Sequence, residues 1–206
     1  DSVVNTMATA GTGGFAVLNL SIGGYQNPAA EIVIAVFMFL FSVNFSVYFL
    51  SLSGKWKKAL QSDELRFFSG IVLFSTVIIA VNIAHLYGNL FDTVRHAFFQ
   101  VSSILTTTGY ATTDFNLWPT LSKGVLVVLM FIGGCAGSTA LGIKVSRVVI
   151  GLKSSLADMR KMLHPNAVTT VQFEEKPLTD RTIRGVQVYL SVYLVVFTAS
   201  FLLLCL

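Results

Sequence analysis

Long apolar stretches separated by short polar ones dominate the chain. A helix needs about 20 apolar residues to cross the hydrocarbon core of a bilayer, and four stretches reach or approach that length. Residues 32–52 are apolar apart from Ser42, Asn44, Ser46, Tyr48 and Ser51. Residues 67–86 are similar, with Asn82 and His85 near their end. Residues 124–143 begin as a clean apolar helix and then become Gly-rich. Residues 186–206 carry no charge. Two further apolar segments, 2–10 and 93–106, are too short to span, since 14 helical residues reach only about 21 Å. Such lengths predict re-entrant or interfacial helices. Each of the two runs directly into a Thr/Gly-rich stretch.

Composition places the whole chain in the membrane class. Of 206 residues, 54% are hydrophobic and 12% charged, where a soluble domain carries roughly 25% charged residues. Disorder is excluded on the same grounds. The net charge of +4 would suit nucleic acid, but its placement argues for a membrane surface. Residues 53–66 hold Lys55, Lys57, Lys58 and Arg66. The loop after the third span holds Lys144, Arg147, Lys153, Arg160, Lys161, Lys176, Arg181 and Arg184. Only Arg95 and Lys123 of the 14 lysines and arginines lie elsewhere, beside Asp1, Glu31, Asp92 and Asp114. The two basic loops therefore face the cytoplasm, and both short segments dip in from the outer side. The longer loop also carries Asp158, Glu174, Glu175 and Asp180; it is either an orienting surface or a docking face for a cytoplasmic partner. Cys135 and Cys205 sit in apolar runs and read as buried free thiols, without a disulfide or metal role. Asp1-Ser2-Val3 opens no signal peptide, and the last residue falls inside an apolar run. Both ends are expected to be cut from a longer protein.

The chain also repeats itself at an offset of 95. Thr12-Gly13-Gly14-Phe15-Ala16 overlies Thr107-Thr108-Gly109-Tyr110-Ala111. A short apolar segment precedes each copy; a Pro (Pro28, Pro119) and a long apolar helix follow. The predicted fold class is an all-α membrane protein of outer helix, re-entrant pore loop and inner helix units, truncated at both ends. This grammar suits a cation path. Irregular backbone at membrane depth is tolerated where it lines a cavity, and a ring of carbonyls can replace a cation's water shell. Gly allows the backbone conformation this needs. A Thr supplies a hydroxyl, and an aromatic after the Gly can brace the loop. Predicted filter residues are Thr12, Gly13, Gly14, Phe15, Thr107, Thr108, Gly109 and Tyr110, with potassium held by the carbonyls of Gly13, Gly14, Thr108 and Gly109.

The run from Phe98 to Phe115, with Trp118-Pro119, resembles the third pore loop of the Trk/Ktr/HKT potassium transporter superfamily, and is closest to the bacterial Trk membrane subunit. Thr12-Gly13-Gly14-Phe15 is similar to the second pore loop. Gly133-Gly134-Cys135-Ala136-Gly137-Ser138-Thr139-Ala140, then Gly142-Ile143-Lys144, resembles the broken third inner helix, and His164-Pro165-Asn166-Ala167-Val168 the cytoplasmic segment after it. The resemblance implies potassium uptake across a bacterial cytoplasmic membrane through four such units, each giving one filter glycine. Residues 1–64 would hold the second pore loop and inner helix, 65–164 the third unit, and 165–206 the cytoplasmic connection and fourth outer helix. It further implies membrane lipid as surroundings, a homodimer, a cytosolic nucleotide-binding regulatory subunit, no cofactor, no nucleic acid and no enzymatic chemistry. Gly133, Gly134, Cys135, Ala136, Gly137, Ser138, Thr139, Gly142 and Lys144 would form a gate beneath the filter. Leu141 stands where the family usually has Gly, which puts the far end of that loop in question.

Several residues keep two readings. The Gly-rich stretch either unwinds or packs a helix tightly. Lys144 either snorkels to the interface or repels cations near the gate. Asn44 and Asn82 read as interhelical hydrogen-bonding groups. His85 and His96 have no partner spacing for a metal. Asp92 and Asp114 either concentrate cations outside or cap helices and turns. Rival classes are a sodium or other cation symporter, or a secondary transporter with broken helices; the two copies point the same way across the membrane, against an inverted repeat.

Overall fold

Capping side chains set where the helices begin. Asn27 accepts from the N–H groups of Ala29 and Ala30 at 3.1 and 3.3 Å, with Pro28 in the first helical position, a pairing suited to a helix start. Asn89 does the same for Phe91 at 3.2 Å, and Ser62 for Leu65 at 3.4 Å, followed by Asp63 and Glu64 in the first turn. The computed structural model describes residues 1–164, 170–174 and 176–205. Pro165, Asn166, Ala167 and Val168 of the expected cytoplasmic segment, and Glu175, lie outside the described residues. The chain divides into two compact units, 1–145 and 146–206.

The first unit holds α1 (Ser2–Ala10), α2 (Pro28–Phe41), α3 (Phe45–Leu52), α4 (Trp56–Leu60), α5 (Asp63–Ile83), α6 (Leu90–Leu105) and α7 (Thr120–Phe131), with 3₁₀ turns at Ser21–Tyr25 and Phe115–Leu117. The short helix α6 is the hub and packs on α2, α5 and α7. Its Phe99 joins Ala8, Ile22, Ala35, Met38 and Tyr110 in one buried cluster. Asn82 of α5 donates to Ser122 of α7 at 2.8 Å, an interhelical bond of the predicted kind. The outer face of α5 exposes Leu73, Phe74, Val77 and Val81, an apolar face that suits lipid rather than water.

The predicted span 32–52 is not one helix. α2 and α3 meet at a 91° bend, and the hydrogen bonds explain the break. In a continuous helix Phe45 N–H would bond the Phe41 carbonyl and Ser46 N–H the Ser42 carbonyl. Instead Phe45 N–H donates to the Gly137 carbonyl at 3.2 Å, and Ser46 N–H to the Asn44 side chain at 2.9 Å. The freed Ser42 carbonyl accepts from Cys135 N–H at 2.9 Å, and that of Phe41 from the Thr139 hydroxyl at 3.2 Å. The groups freed at Phe41, Ser42, Phe45 and Ser46 are thus paired again, and most of their partners lie about 95 residues away. Residues 124–143 also give less helix than their length allows, because α7 stops at Phe131. α5 and α9 are long and apolar enough to cross a membrane; α2 with α3 makes a third candidate when the bent pair counts as one.

The second unit holds α8 (Val145–Leu163), which starts on the last residue of the first, then a hairpin of β1 (Gln172–Phe173) and β2 (Lys176–Pro177), and α9 (Asp180–Leu204). The predicted basic loop is thus largely helix. Arg147, Lys153, Arg160 and Lys161 ride on α8 and Arg181 and Arg184 on the start of α9; α8 joins α9 through Gln187 to Ser154 at 3.2 Å and through the Arg147 guanidinium 3.9 Å above the Tyr189 ring. Cys135 is buried, whereas Cys205, at the exposed end of α9, is not; few protein groups surround that helix end.

Candidate functional site

α1 and α6 end on Ala10 and Leu105, positions equivalent under the 95-residue offset. The backbone beyond them is alike as well. Thr12 and Thr107 have φ of +48° and +59°, and Gly14 and Gly109 have φ of +68° and +86°. Gly takes this left-handed region freely, but it costs a non-Gly residue about 1–2 kcal/mol and is rare for a β-branched one. Its recurrence at equivalent threonines marks a backbone shape held in both places. The sequence predicted the glycine of each pair; it offered no sign of the threonine.

The N–H groups of these stretches turn back toward the short helices. Gly13 donates to the Ala8 carbonyl at 2.8 Å, and Thr108 and Gly109 donate to that of Ser103 at 2.9 and 3.2 Å. In a trans peptide the carbonyl points opposite to its N–H, so the carbonyls of Thr12, Thr107 and Thr108 face away from the helix ends. Among the described residues, no donor bonds the carbonyl oxygens of Gly13, Gly14, Thr108 or Gly109. The two stretches also touch: a Cβ added to Gly14 would stand 1.9 Å from the Thr108 carbonyl oxygen. A Cβ on Gly109 would meet nothing within 4 Å.

Only one of the two aromatics braces. Tyr110 is fully buried, and its hydroxyl donates to the carbonyls of Phe15 and Asn5 at 3.2 and 3.3 Å. The Ser103 hydroxyl holds the Tyr110 carbonyl at 2.6 Å. Phe15 is 75% exposed and braces nothing among the described residues.

The Gly-rich stretch is unwound and folds back on itself. Gly133 N–H bonds the Ile143 carbonyl at 2.8 Å, and Val145 N–H that of Gly134 at 3.1 Å. A Cβ on Gly133 would sit 1.9 Å from the Leu141 carbonyl oxygen, so only glycine permits this crossing. Positive φ falls on Gly137 (+66°) and Gly142 (+78°). Leu141 is spared that conformation and points its side chain outward, which explains why a bulky residue fits there. The Thr107 hydroxyl accepts from Leu141 N–H at 2.8 Å, the Thr12 hydroxyl donates to the Thr139 carbonyl at 3.1 Å, and the Lys144 ammonium donates to the Ala140 carbonyl. The loop therefore lies directly against both Thr-x-Gly stretches.

A family model described as TrkH, cation transport protein, matches residues 1–205. The chain belongs to the TrkH family. The TrkH potassium uptake protein of the Trk system of Escherichia coli K12 is 34% identical over 206 residues, covering 98% of this chain and 42% of that protein. TrkG of the same strain is 36% identical over 205 residues, with 98% and 42% covered. The crystal structure of the potassium transporter TrkH from Vibrio parahaemolyticus superposes with a TM-score of 0.92 at 30% identity, covering 98% of this chain and 44% of that one. The chain thus spans less than half the length of these TrkH relatives.

Two buried charge clusters of this TrkH-family chain escaped the sequence reading. Arg95 of α6 is bound to Glu31 of α2, to Asp92 at 2.7 Å and to His96 at 3.2 Å; His96 continues to the Thr112 hydroxyl at 3.0 Å. Glu31 is only 3% exposed. Glu64 of α5, also 3% exposed, accepts from Ala136 N–H at 2.6 Å and from the Asn44 amide at 3.2 Å. It therefore clamps the loop to the α2–α3 break. Both carboxylates stand in the first turn of apolar helices, where they look like interfacial charges.

Proposed function

We propose that this chain forms half of a potassium uptake pore, with Thr12–Phe15 and Thr107–Tyr110 as two segments of its selectivity filter. The observation that carries this reading is the contact of Gly14 with the Thr108 carbonyl, between two stretches of like backbone whose Gly carbonyls have no described donor. Backbone oxygens that no protein donor occupies are free to take the place of a cation's water shell. Potassium is the ion of choice because the relatives are potassium uptake proteins by name. Each short helix turns its negative C-terminal end toward the same path. Transport then consists of dehydration, carbonyl coordination and passage, with no covalent step and no cofactor.

In this reading residues 1–64, 65–164 and 165–206 belong to successive units of outer helix, pore loop and inner helix. α8 and its basic residues face the cytoplasm of a bacterium, where a nucleotide-binding regulatory subunit docks, and the full-length protein is a homodimer in the cytoplasmic membrane. Fluxes into liposomes bearing the full-length protein test the core of the proposal. Potassium should move down its gradient in preference to sodium. Equal fluxes, or sodium alone, would replace it with the general cation alternative.

Residues 133–144 act as the gate. Their support is position: the loop lies against Thr12 and Thr107 and is held by Glu64 and the α2–α3 break. Gly137→Ala puts a Cβ 3.3 Å from the Asn44 side-chain oxygen at a φ of +66°, which should distort the loop and leave the filter alone. The expected outcome is a changed potassium flux at an unchanged potassium-to-sodium ratio. A changed ratio with normal flux would contradict the gate assignment.

A further inference from the structure

The Gly-rich loop has two kinds of attachment, and they differ in strength. At one end, Cys135 N–H bonds Ser42, Gly137 accepts from Phe45, and Ala136 N–H bonds the Glu64 carboxylate at 2.6 Å. A hydrogen bond to a charged group is roughly twice as strong as a neutral one, so this end is the anchored one. Across the loop, the Thr12 hydroxyl is shared between the Gly11 carbonyl at 2.8 Å and the Thr139 carbonyl at 3.1 Å, and the Thr107 hydroxyl takes the Leu141 N–H at 2.8 Å, while the Phe41 carbonyl holds the Thr139 N–H and hydroxyl at 3.4 and 3.2 Å. All of these are neutral bonds.

These two threonines are equivalent under the 95-residue offset, share the same left-handed backbone, and converge on a stretch of three residues from opposite sides in bonding sense: one donates, the other accepts. The Ala140 side chain between their partners is 1% exposed. Gly137 and Gly142, both at positive φ, bracket this stretch.

We propose that Thr12 and Thr107 are positioning residues for the loop, a paired latch that, beside the hold of the Phe41 carbonyl on Thr139, keeps Thr139–Leu141 beneath the ion path until both hydroxyls release it. The proposal rests on the pore reading above. It makes filter and gate one coupled unit: a hydroxyl that turns to bond an ion's shell gives up the loop, and a released loop frees two hydroxyls at the inner end of the filter. Such coupling is reciprocal by necessity.

The test places a thiol at the latch, as Ala140→Cys in a Cys135→Ala, Cys205→Ser background of the full-length protein in liposomes. The rate of modification by a small cationic thiol reagent reports release of the loop. Thr12→Val and Thr107→Val keep the β-branched shape and remove the hydroxyl; each should raise the rate about 2- to 10-fold, the equivalent of one net hydrogen bond. Thr→Ser at either position should restore the slow rate, a rescue that a purely steric role would not give. Valine variants that react at the unsubstituted rate overturn the latch. Potassium and sodium fluxes of the same variants separate this from the pore reading: an altered ion ratio with an unaltered thiol rate removes the latch and leaves the filter, while a raised rate with an unaltered ratio keeps the latch and removes these threonines from the filter. Should the valine variants fail to assemble, Thr→Ala removes the hydroxyl with less crowding at positive φ, and its rates decide in the same way.

Discussion

Gly109→Ala in the full-length protein is expected to lower the preference for potassium over sodium about tenfold while the protein still assembles, and Gly14→Ala is expected to abolish assembly. The two glycines share a positive φ but not their surroundings. At Gly109 an added Cβ meets nothing within 4 Å, so the penalty is that of forcing an L-residue into the left-handed region, about 1–2 kcal/mol. The backbone can escape that penalty only by rotating, and rotation turns the Thr108 and Gly109 carbonyls from their present orientation. A loss of about 1.4 kcal/mol in relative ion binding is a tenfold loss of preference. At Gly14 the same Cβ would lie 1.9 Å from the Thr108 carbonyl oxygen, a clash with backbone that no side-chain rotation relieves. The combined backbone and overpacking cost is roughly 2–5 kcal/mol, concentrated where the two stretches meet. Ion flux ratios in liposomes check the first substitution and size-exclusion profiles in detergent the second. An unchanged flux ratio for Gly109→Ala would remove this residue from the filter.

Removing Arg95 should be the most destabilising single change outside those glycines. Arg95 ties α6 to α2 through Glu31 and to its own helix through Asp92, and the Glu31 side chain is only 4% exposed. Arg95→Ala strands that carboxylate in an apolar setting, where breaking a buried pair costs about 3–5 kcal/mol. Replacing both partners by neutral groups of similar shape, Arg95→Met with Glu31→Gln, should recover most of the loss, because the double variant leaves no buried charge uncompensated and Asp92, 40% exposed, keeps water as its partner. Apparent melting temperatures of the single and double variants in one detergent give the coupling directly. Additive losses would mean that the two residues act separately. α6 carries the Ser103 carbonyl that fixes Thr108 and Gly109, so a shifted α6 moves the proposed filter segment with it.

Glu64 and Glu31 illustrate where sequence reasoning runs out. Both follow a capping residue at the start of an apolar helix, and on the sequence both are interfacial charges serving a helix dipole. Each is in fact turned inward to a partner contributed from elsewhere in the chain, Ala136 and Asn44 for one and Arg95 for the other. Nothing local distinguishes an inward from an outward carboxylate in that position. The same holds for Asn44. It was legible as a hydrogen-bonding group inside a span, but not as the cap of a second helix at a 91° turn.

Hydropathy and punctuation determined a good deal without any tertiary information. They set the helical, membrane-type composition, the two short helices that end at equivalent positions and the paired glycines after them; whether the glycines after α7 unwind the chain or pack a helix they left open. Those features depend on residues near one another in sequence: apolar period, caps and the absence of a Cβ. Only the tertiary structure decided the break at Ser42–Asn44, the left-handed threonines, the one-sided bracing by Tyr110 and the inward turn of two carboxylates. Each of these is an exchange of hydrogen bonds or charges between segments up to about a hundred residues apart. A chain in isolation has no preference among such partners until packing brings them within 3 Å.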